Sequence, residues 1–202
     1  MHKLLPLLEI ALDRRFVLPK RQIATIAEFI SLFPEVQDIF VDATERPIQR
    51  PTNYKKQNRL YSGKKKRHTR KSTIVNDENK RILVLTKTTR GSMHDKRQFD
   101  KSGLGNSIPK NVTVWTDTGY QGLCNNYDLD HIQPKKRTKG KALTPEEKQS
   151  NKTISSIRVV NEQAIGGIKR MKSAADIYRN RIAGTDDKFM VVSAGIWNLL
   201  IA

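Results

Sequence analysis

Residues 110–123, KNVTVWTDTGYQGL, decide how this chain is read. The β-branched and aromatic run 112–116 is a short strand, and it gives way to Asp117 two residues before Gly119. An aspartate leaving a strand ordinarily caps the turn that follows. It acquires another meaning only if further carboxylates can reach it. A second apolar strand, VQDIFVDAT (36–44), ends in the same way at Asp42. If the two strands lie side by side and parallel, both carboxylates meet at one edge of a sheet.

A third carboxylate comes from TISSIRVVNEQAIGGIKRMK (153–172), which has the spacing of a long amphipathic helix. With successive side chains about 100° apart, Arg158, Glu162, Ile165 and Lys169 share an arc of roughly 60°. Ile154, Ile157, Val160, Ala164, Ile168 and Met171 form a separate apolar stripe. The helix can therefore bury one flank while Glu162 leans over the sheet edge. Glu146 and Glu147 are its rivals, but they sit in a polar stretch without rigid support. Three converging carboxylates repel one another, and their pKa values rise unless a cation neutralises them. All-oxygen ligands suit Mg²⁺ or Mn²⁺, and two such ions about 3.5–4 Å apart clamp the attacking and leaving oxygens of a phosphodiester.

The totals agree with an anionic partner. Across 202 residues, 38 Lys and Arg stand against 20 Asp and Glu, a formal net charge of +18. That excess is far beyond what solubility needs and points to a polyanion, most simply nucleic acid. The single cysteine, Cys124, excludes an internal disulfide framework and fits a reducing cytoplasm. The apolar ending FMVVSAGIWNLLIA (189–202) is too short for a membrane span and reads as a buried terminal helix.

Elsewhere, helical spacing covers 4–12 and 22–33, with Pro34 closing the second stretch. Residues 46–58 read as an irregular excursion. Two strands, 63–75 and 81–90, form a hairpin across NDEN (76–79). SMHDKRQFDKSGL (92–104) reads as a helix with Ser92 as N-cap and Asp95 at its third position. The charged segment 134–152 reads as a mobile surface stretch. The order gives one α/β fold, a mixed sheet of about five strands flanked by helices.

Five stretches in sequence, VDATERPIQRP, YSGKKKRHTRKSTIV, GSMHDKR, WTDTGYQG and RVVNEQAIGGIKR, resemble the consecutive motifs of DDE transposases of bacterial insertion sequences, in the insertion-sequence-five-like group. The resemblance runs from about Phe33 to the C-terminus. It implies a ribonuclease-H-like catalytic domain over 35–202, preceded by a helical remnant or linker over 1–34. It also implies Asp42, Asp117 and Glu162 as catalytic and metal-binding residues, with two Mg²⁺ or Mn²⁺ ions as cofactor. The spacing Arg158-x3-Glu162-x6-Lys169 matches the pattern around the glutamate of these transposases. Ser155 departs from it, standing where some relatives carry a tyrosine that contacts DNA.

Arg158 and Lys169, aligned with Glu162, are expected to grip DNA phosphates, although such residues ordinarily only decorate a helix surface. The run Lys64, Lys65, Lys66, Arg67, His68 and Lys71 is the expected DNA-binding strand of the resemblance, against the plainer reading of a solvated basic face. Strand alternation would divide it, with Lys64, Lys66, His68 and Arg70 on one side and Lys65, Arg67 and Lys71 on the other. His94 and Asp95 stand evenly between helix capping and an accessory role at the site. His2, His68 and His131 lack metal-ligand spacing, and Trp115 and Trp197 read as core.

The function expected is a metal-dependent endonuclease that cleaves DNA at the ends of an insertion sequence and transfers the 3′-hydroxyl to target DNA. The partners implied are terminal inverted repeats, target DNA and a second copy of the chain on DNA, in the cytoplasm at the bacterial nucleoid, with no membrane. Two alternatives stand beside it: a non-catalytic basic nucleic-acid-binding protein, and an inactive shortened transposase. The second has a motive, because only about 30 residues precede the resemblance where relatives carry a helix-turn-helix region. A truncated copy and the second of two reading frames both fit that.

Overall fold

The computed structural model describes residues 4–138, 140, 142–180 and 182–202, so His2 lies outside it. Along the chain come helices α1 (Leu4–Asp13) and α2 (Ile26–Leu32), strand β1 (Asp38–Pro47) and helix α3 (Tyr54–Leu60). Strands β2 (Tyr61–Ser62), β3 (Arg67–Asp77), β4 (Ile82–Leu85) and β5 (Thr89–Arg90) follow, then helix α4 (Asp95–Ser102). Strands β6 (Thr113–Thr116) and β7 (Asp130–Ile132) precede helices α5 (Pro145–Lys169), α6 (Lys172–Ala175) and α7 (Thr185–Ile201).

The strand at the centre is β1, whose run Ile39-Phe40-Val41 is buried. On one side it pairs in parallel with β6, from Asp38 opposite Thr113 to Val41 opposite Thr116. On the other it pairs antiparallel with β3 along its whole length, from Ile39 opposite Asp77 to Pro47 opposite Thr69. The main path of the sheet is β2-β3-β1-β6-β7, with β4 and β5 added along β3. Alternation along the strands divides the core between two faces. Ile39, Val41, Val75 and Val114 pack with Phe29 of α2 and Phe99 of α4. Ile74 and Leu85 pack on the other face with Ala164 and Ile168 of α5 and Met190 and Ala194 of α7. This mixed sheet between helical layers is the expected α/β class, in keeping with a ribonuclease-H-like core. Helix α1 packs against α7 through Leu5, Leu12 and Val192.

Several elements differ from their sequence reading, each for a local reason. Strand β1 does not stop at Asp42, because β3 goes on pairing with it to Pro47 after β6 has ended. The excursion contains a helix, α3, capped where the Asn53 side chain accepts from the Lys56 amide. Residues 22–25 are not helical; Lys20 donates its amide to Leu83 and accepts from Leu85, tying the chain to β4. Helix α4 begins at Asp95 with His94 as N-cap, and the Ser92 hydroxyl donates to the Arg59 carbonyl instead of capping. The charged stretch 145–152 forms the first turns of α5, started by a reciprocal capping box between Thr144 and Glu147 with Pro145 at its first position.

Helices α5 and α7 meet closely at Gly167, where an added Cβ would lie 2.3 Å from the Trp197 ring. That ring cannot retreat easily, since its Nε1 donates to the Lys80 carbonyl at 2.9 Å. Gly166 has nothing within 4 Å of its Cβ direction. In urea unfolding, Gly167→Ala should therefore cost about 1–3 kcal/mol by overpacking. Gly166→Ala should instead stabilise by about 0.5–1 kcal/mol through helix propensity.

Candidate active site

The parallel register of β1 and β6 fixes the first two carboxylates. Val41 stands opposite Thr116, and the next residues in the chain are Asp42, still on β1, and Asp117, just past the end of β6. Asp117 also caps: it accepts from the Gly119 amide at 2.7 Å and opens the short 3₁₀ turn Thr118–Tyr120. A Cβ at position 119 would lie 2.8 Å from Asp117 Oδ1 and 3.3 Å from Asp95 Oδ2. Glycine is thus what lets the turn sit against both carboxylates.

Asp42 is pushed up from 3.8 to about 6, first by burial and then by the charge of Asp117. The Ala43 amide, Arg158 and Lys64 offset this only in part. The Arg158 guanidinium lies 3.9 Å from the Asp42 carboxylate. Beneath them the Tyr120 phenol is fully buried and raised well above its usual range, by burial first and then by Asp42, Asp95 and Asp117 together. One phenol therefore feels three carboxylates.

Glu162 reaches the site from α5, whose Ala164 and Ile168 anchor it against the sheet. It lines a cleft of 330 Å³ together with Asp42, Glu45, Asp95, Lys64, Lys65 and Lys169. The flank inferred from helical spacing holds: Glu162, Ile165 and Lys169 line the cleft, and Arg158, one turn earlier, meets Asp42. The Lys169 ammonium is lowered by burial and by Lys65 opposite, against the pull of Asp42 and Glu45. Two ammonium groups near enough to repel each other, beside carboxylates in one cleft, make a rim suited to phosphate.

The basic run divides differently from simple alternation. Residues 63–66 form the turn between β2 and β3, with Lys66 at φ 53°, so strand periodicity begins only at Arg67. Lys64 and Lys65 line the cleft, while Lys66 and Arg67 are exposed. His68 packs edge-on against Tyr61. Lys71 leaves the solvent-facing run altogether. It is 6% exposed, and its ammonium donates to Asp95 at 2.7 Å and to the Met93 carbonyl at 2.8 Å, with Glu45 at 3.3 Å. Asp95 belongs to this buried trio and to the cleft, while the His94 side chain makes no capping bond. Glu45 escaped the sequence reading. Its signal was its place on β1 directly across from Lys71, an acid and a base paired inside a sheet.

Among the described residues, no three Asp, Glu, His or Cys side chains are grouped closely enough to hold a metal ion together. The donors nevertheless suit a hard cation. Asp42 and Asp117 repel each other with incomplete compensation, and buried polar atoms at Tyr120 Oη, Arg158 Nε and both ends of the Asn161 amide make no hydrogen bond among the described residues. Carboxylates with spare lone pairs beside unpaired polar groups match an ion that keeps part of its water shell.

The raised Asp42 has a measurable consequence without any metal. Between pH 3.8 and about 6 the folded state holds a proton that the unfolded chain has lost, so stability falls as pH rises through this window. In chelator, Asp42→Asn should be more stable than the parent at pH 8 by about 3 kcal/mol, and the gap should close near pH 4. Urea unfolding at the two pH values measures both.

Over 190 residues the chain is 31% identical to a protein of Microchaete diplosiphon named "Probable transposase for insertion sequence element IS702". That match takes in 94% of this chain, which spans 65% of the relative's length. No solved structure matches. No helix among the described residues is long and apolar enough to cross a membrane. The family model described as DDE superfamily endonuclease matches residues 41–198, which include Asp42, Asp117 and Glu162, and the chain belongs to that family.

Proposed function

We propose that residues 35–202 form the catalytic core of a transposase that cleaves DNA phosphodiesters at the ends of an insertion sequence and transfers the freed 3′-hydroxyl to target DNA. One observation carries the reading. The β1–β6 register puts Asp42 and Asp117 one step past paired residues, and Glu162 lines the same cleft as Asp42 together with Lys64, Lys65 and Lys169. The family and the relative's name support the setting.

In this reading Asp42, Asp117 and Glu162 hold two divalent ions, Mg²⁺ or Mn²⁺. Such ions, when bound, activate an attacking water or hydroxyl and offset charge on the phosphate. Arg158 orients Asp42 and favours its ionised form. Lys64, Lys65 and Lys169 hold the phosphates next to the scissile bond, and Lys66, Arg67 and His68 serve the strand beyond it. Such contacts fix position and carry no sequence information. Lys71 acts from within, holding Glu45 and Asp95 in place, with His94 at the edge of this accessory group. No covalent protein intermediate is needed. The partners are terminal inverted repeats and target DNA in the bacterial nucleoid, and joining two ends calls for a homodimer on DNA.

The test is nicking of a labelled duplex carrying the element's end, with Mg²⁺ or Mn²⁺, by the parent and by Asp117→Asn. Asparagine keeps the oxygen that accepts from Gly119, so the turn survives the change. Metal-dependent cleavage by the parent and none by the variant is expected. Equal cleavage by both would remove Asp117 from the chemistry. DNA binding without cleavage by either would leave a non-catalytic nucleic-acid-binding protein or an inactive shortened transposase.

A further inference from the structure

Past Asp42, β1 continues to Pro47, and the chain then lines a larger pocket of 550 Å³ through residues 48–53. Its floor is built rather than accidental. The Gln49 amide donates to the Tyr178 carbonyl at 3.1 Å, and the Tyr178 amide donates to Pro47 at 2.9 Å. Underneath, the buried Arg46 guanidinium stacks 4.4 Å from the Tyr178 ring centre and donates to the Ser173 carbonyl.

The lining is strongly one-signed. Arg50, Lys56, Arg70 and Arg179 face the pocket, against one carboxylate, the buried Asp186, which lies 3.5 Å from Arg70. Among the described residues, Arg50, Lys56 and Arg179 have no carboxylate partner; Arg50 donates only to the neutral Gln57 side chain. Like charges gathered on an ordered floor, with Thr52 and Asn180 between them, are the side chains that contact DNA phosphates. Apolar residues, Ile48, Pro51, Ile182 and Ala183, also line the pocket, and the cations stand among them.

Cations lead from the cleft toward the pocket. Lys64 and Lys65 rim the cleft, Arg67, two residues on, lines a separate depression with Arg179 and Asp176, and Arg179 also lines the pocket. We propose that this pocket, lined by Arg50, Lys56, Arg70 and Arg179, is a second DNA-backbone site that holds the duplex away from the scissile bond. The inference rests on the reading of the molecule as a DNA-cleaving protein. From Asp42 to Ile48 is six residue steps of strand, about 20 Å. At about 3.4 Å per base pair, the pocket meets phosphates about six base pairs from the cut.

The experiment measures the salt dependence of binding of a fluorescein-labelled 30-base-pair duplex, by anisotropy in chelator. Three chains are compared: the parent, Arg50→Gln/Lys56→Gln/Arg179→Gln, and Lys64→Gln/Lys65→Gln. All five side chains are exposed, so folding should survive, and urea midpoints check this. The log–log salt slope should fall by about 2–3 for the triple variant and by about 2 for the double variant. Arg179→Gln alone should remove about one. An unchanged slope in the triple variant, with a reduced slope in the double, overturns the second site and leaves the proposed function standing. No change in either variant overturns DNA binding on this face altogether.

Discussion

The parallel pairing of β1 with β6 is the constraint on which the rest depends. It is short, four residue pairs, but its apolar residues lie in a shared core, with Ile39, Val41 and Val114 fully buried. Hydrophobic burial thus holds two strands in a register whose next step sets two like charges together. The strain shows in Asp42, which binds its proton far more tightly than a solvated aspartate does. A site that stores such repulsion is less stable than it could be, and a bound cation would relieve the repulsion.

A second device lies behind the first. Lys71 stands directly across from Glu45 and also holds Asp95, so one ammonium ties a strand, its neighbour and the start of α4. Buried carboxylates of this kind are costly unless paired, and the lysine supplies the pairing. The outcome is an acidic floor within a chain of net charge +18, surrounded by cations at the rim and along the edge leading from β1. Opposite signs are separated over short distances, as expected where a polyanion is drawn in and a cation must sit beneath it.

What could be read from the sequence was whatever a short period or a motif encodes. Asp42 and Asp117 were found because apolar strands leading to an acid are visible locally, and their adjacency required only that the strands be parallel. The flank Arg158–Glu162–Ile165–Lys169 followed from helical geometry. Lys71 was grouped with its basic neighbours because its partner Glu45 is 26 positions away, and only the β1–β3 register brings them opposite. Ser92 matched a capping pattern, but a tertiary bond to Arg59 took its hydroxyl. The second basic pocket was invisible for the same reason: Arg50, Arg70 and Arg179 meet only after residues 176–180 have docked on the end of β1.

The central claim is that the paired strands hold their carboxylates ready for a divalent ion, and Mn²⁺ titration calorimetry tests it without DNA. Titrations in two buffers of different ionisation enthalpy, at pH 6 and pH 8, count the protons released. The account predicts saturable binding that is tighter at pH 8, releases a fraction of a proton at pH 6, and is lost in both Asp42→Asn and Asp117→Asn. Saturable binding that survives both substitutions, or a parent chain that binds no Mn²⁺ at either pH, would contradict it.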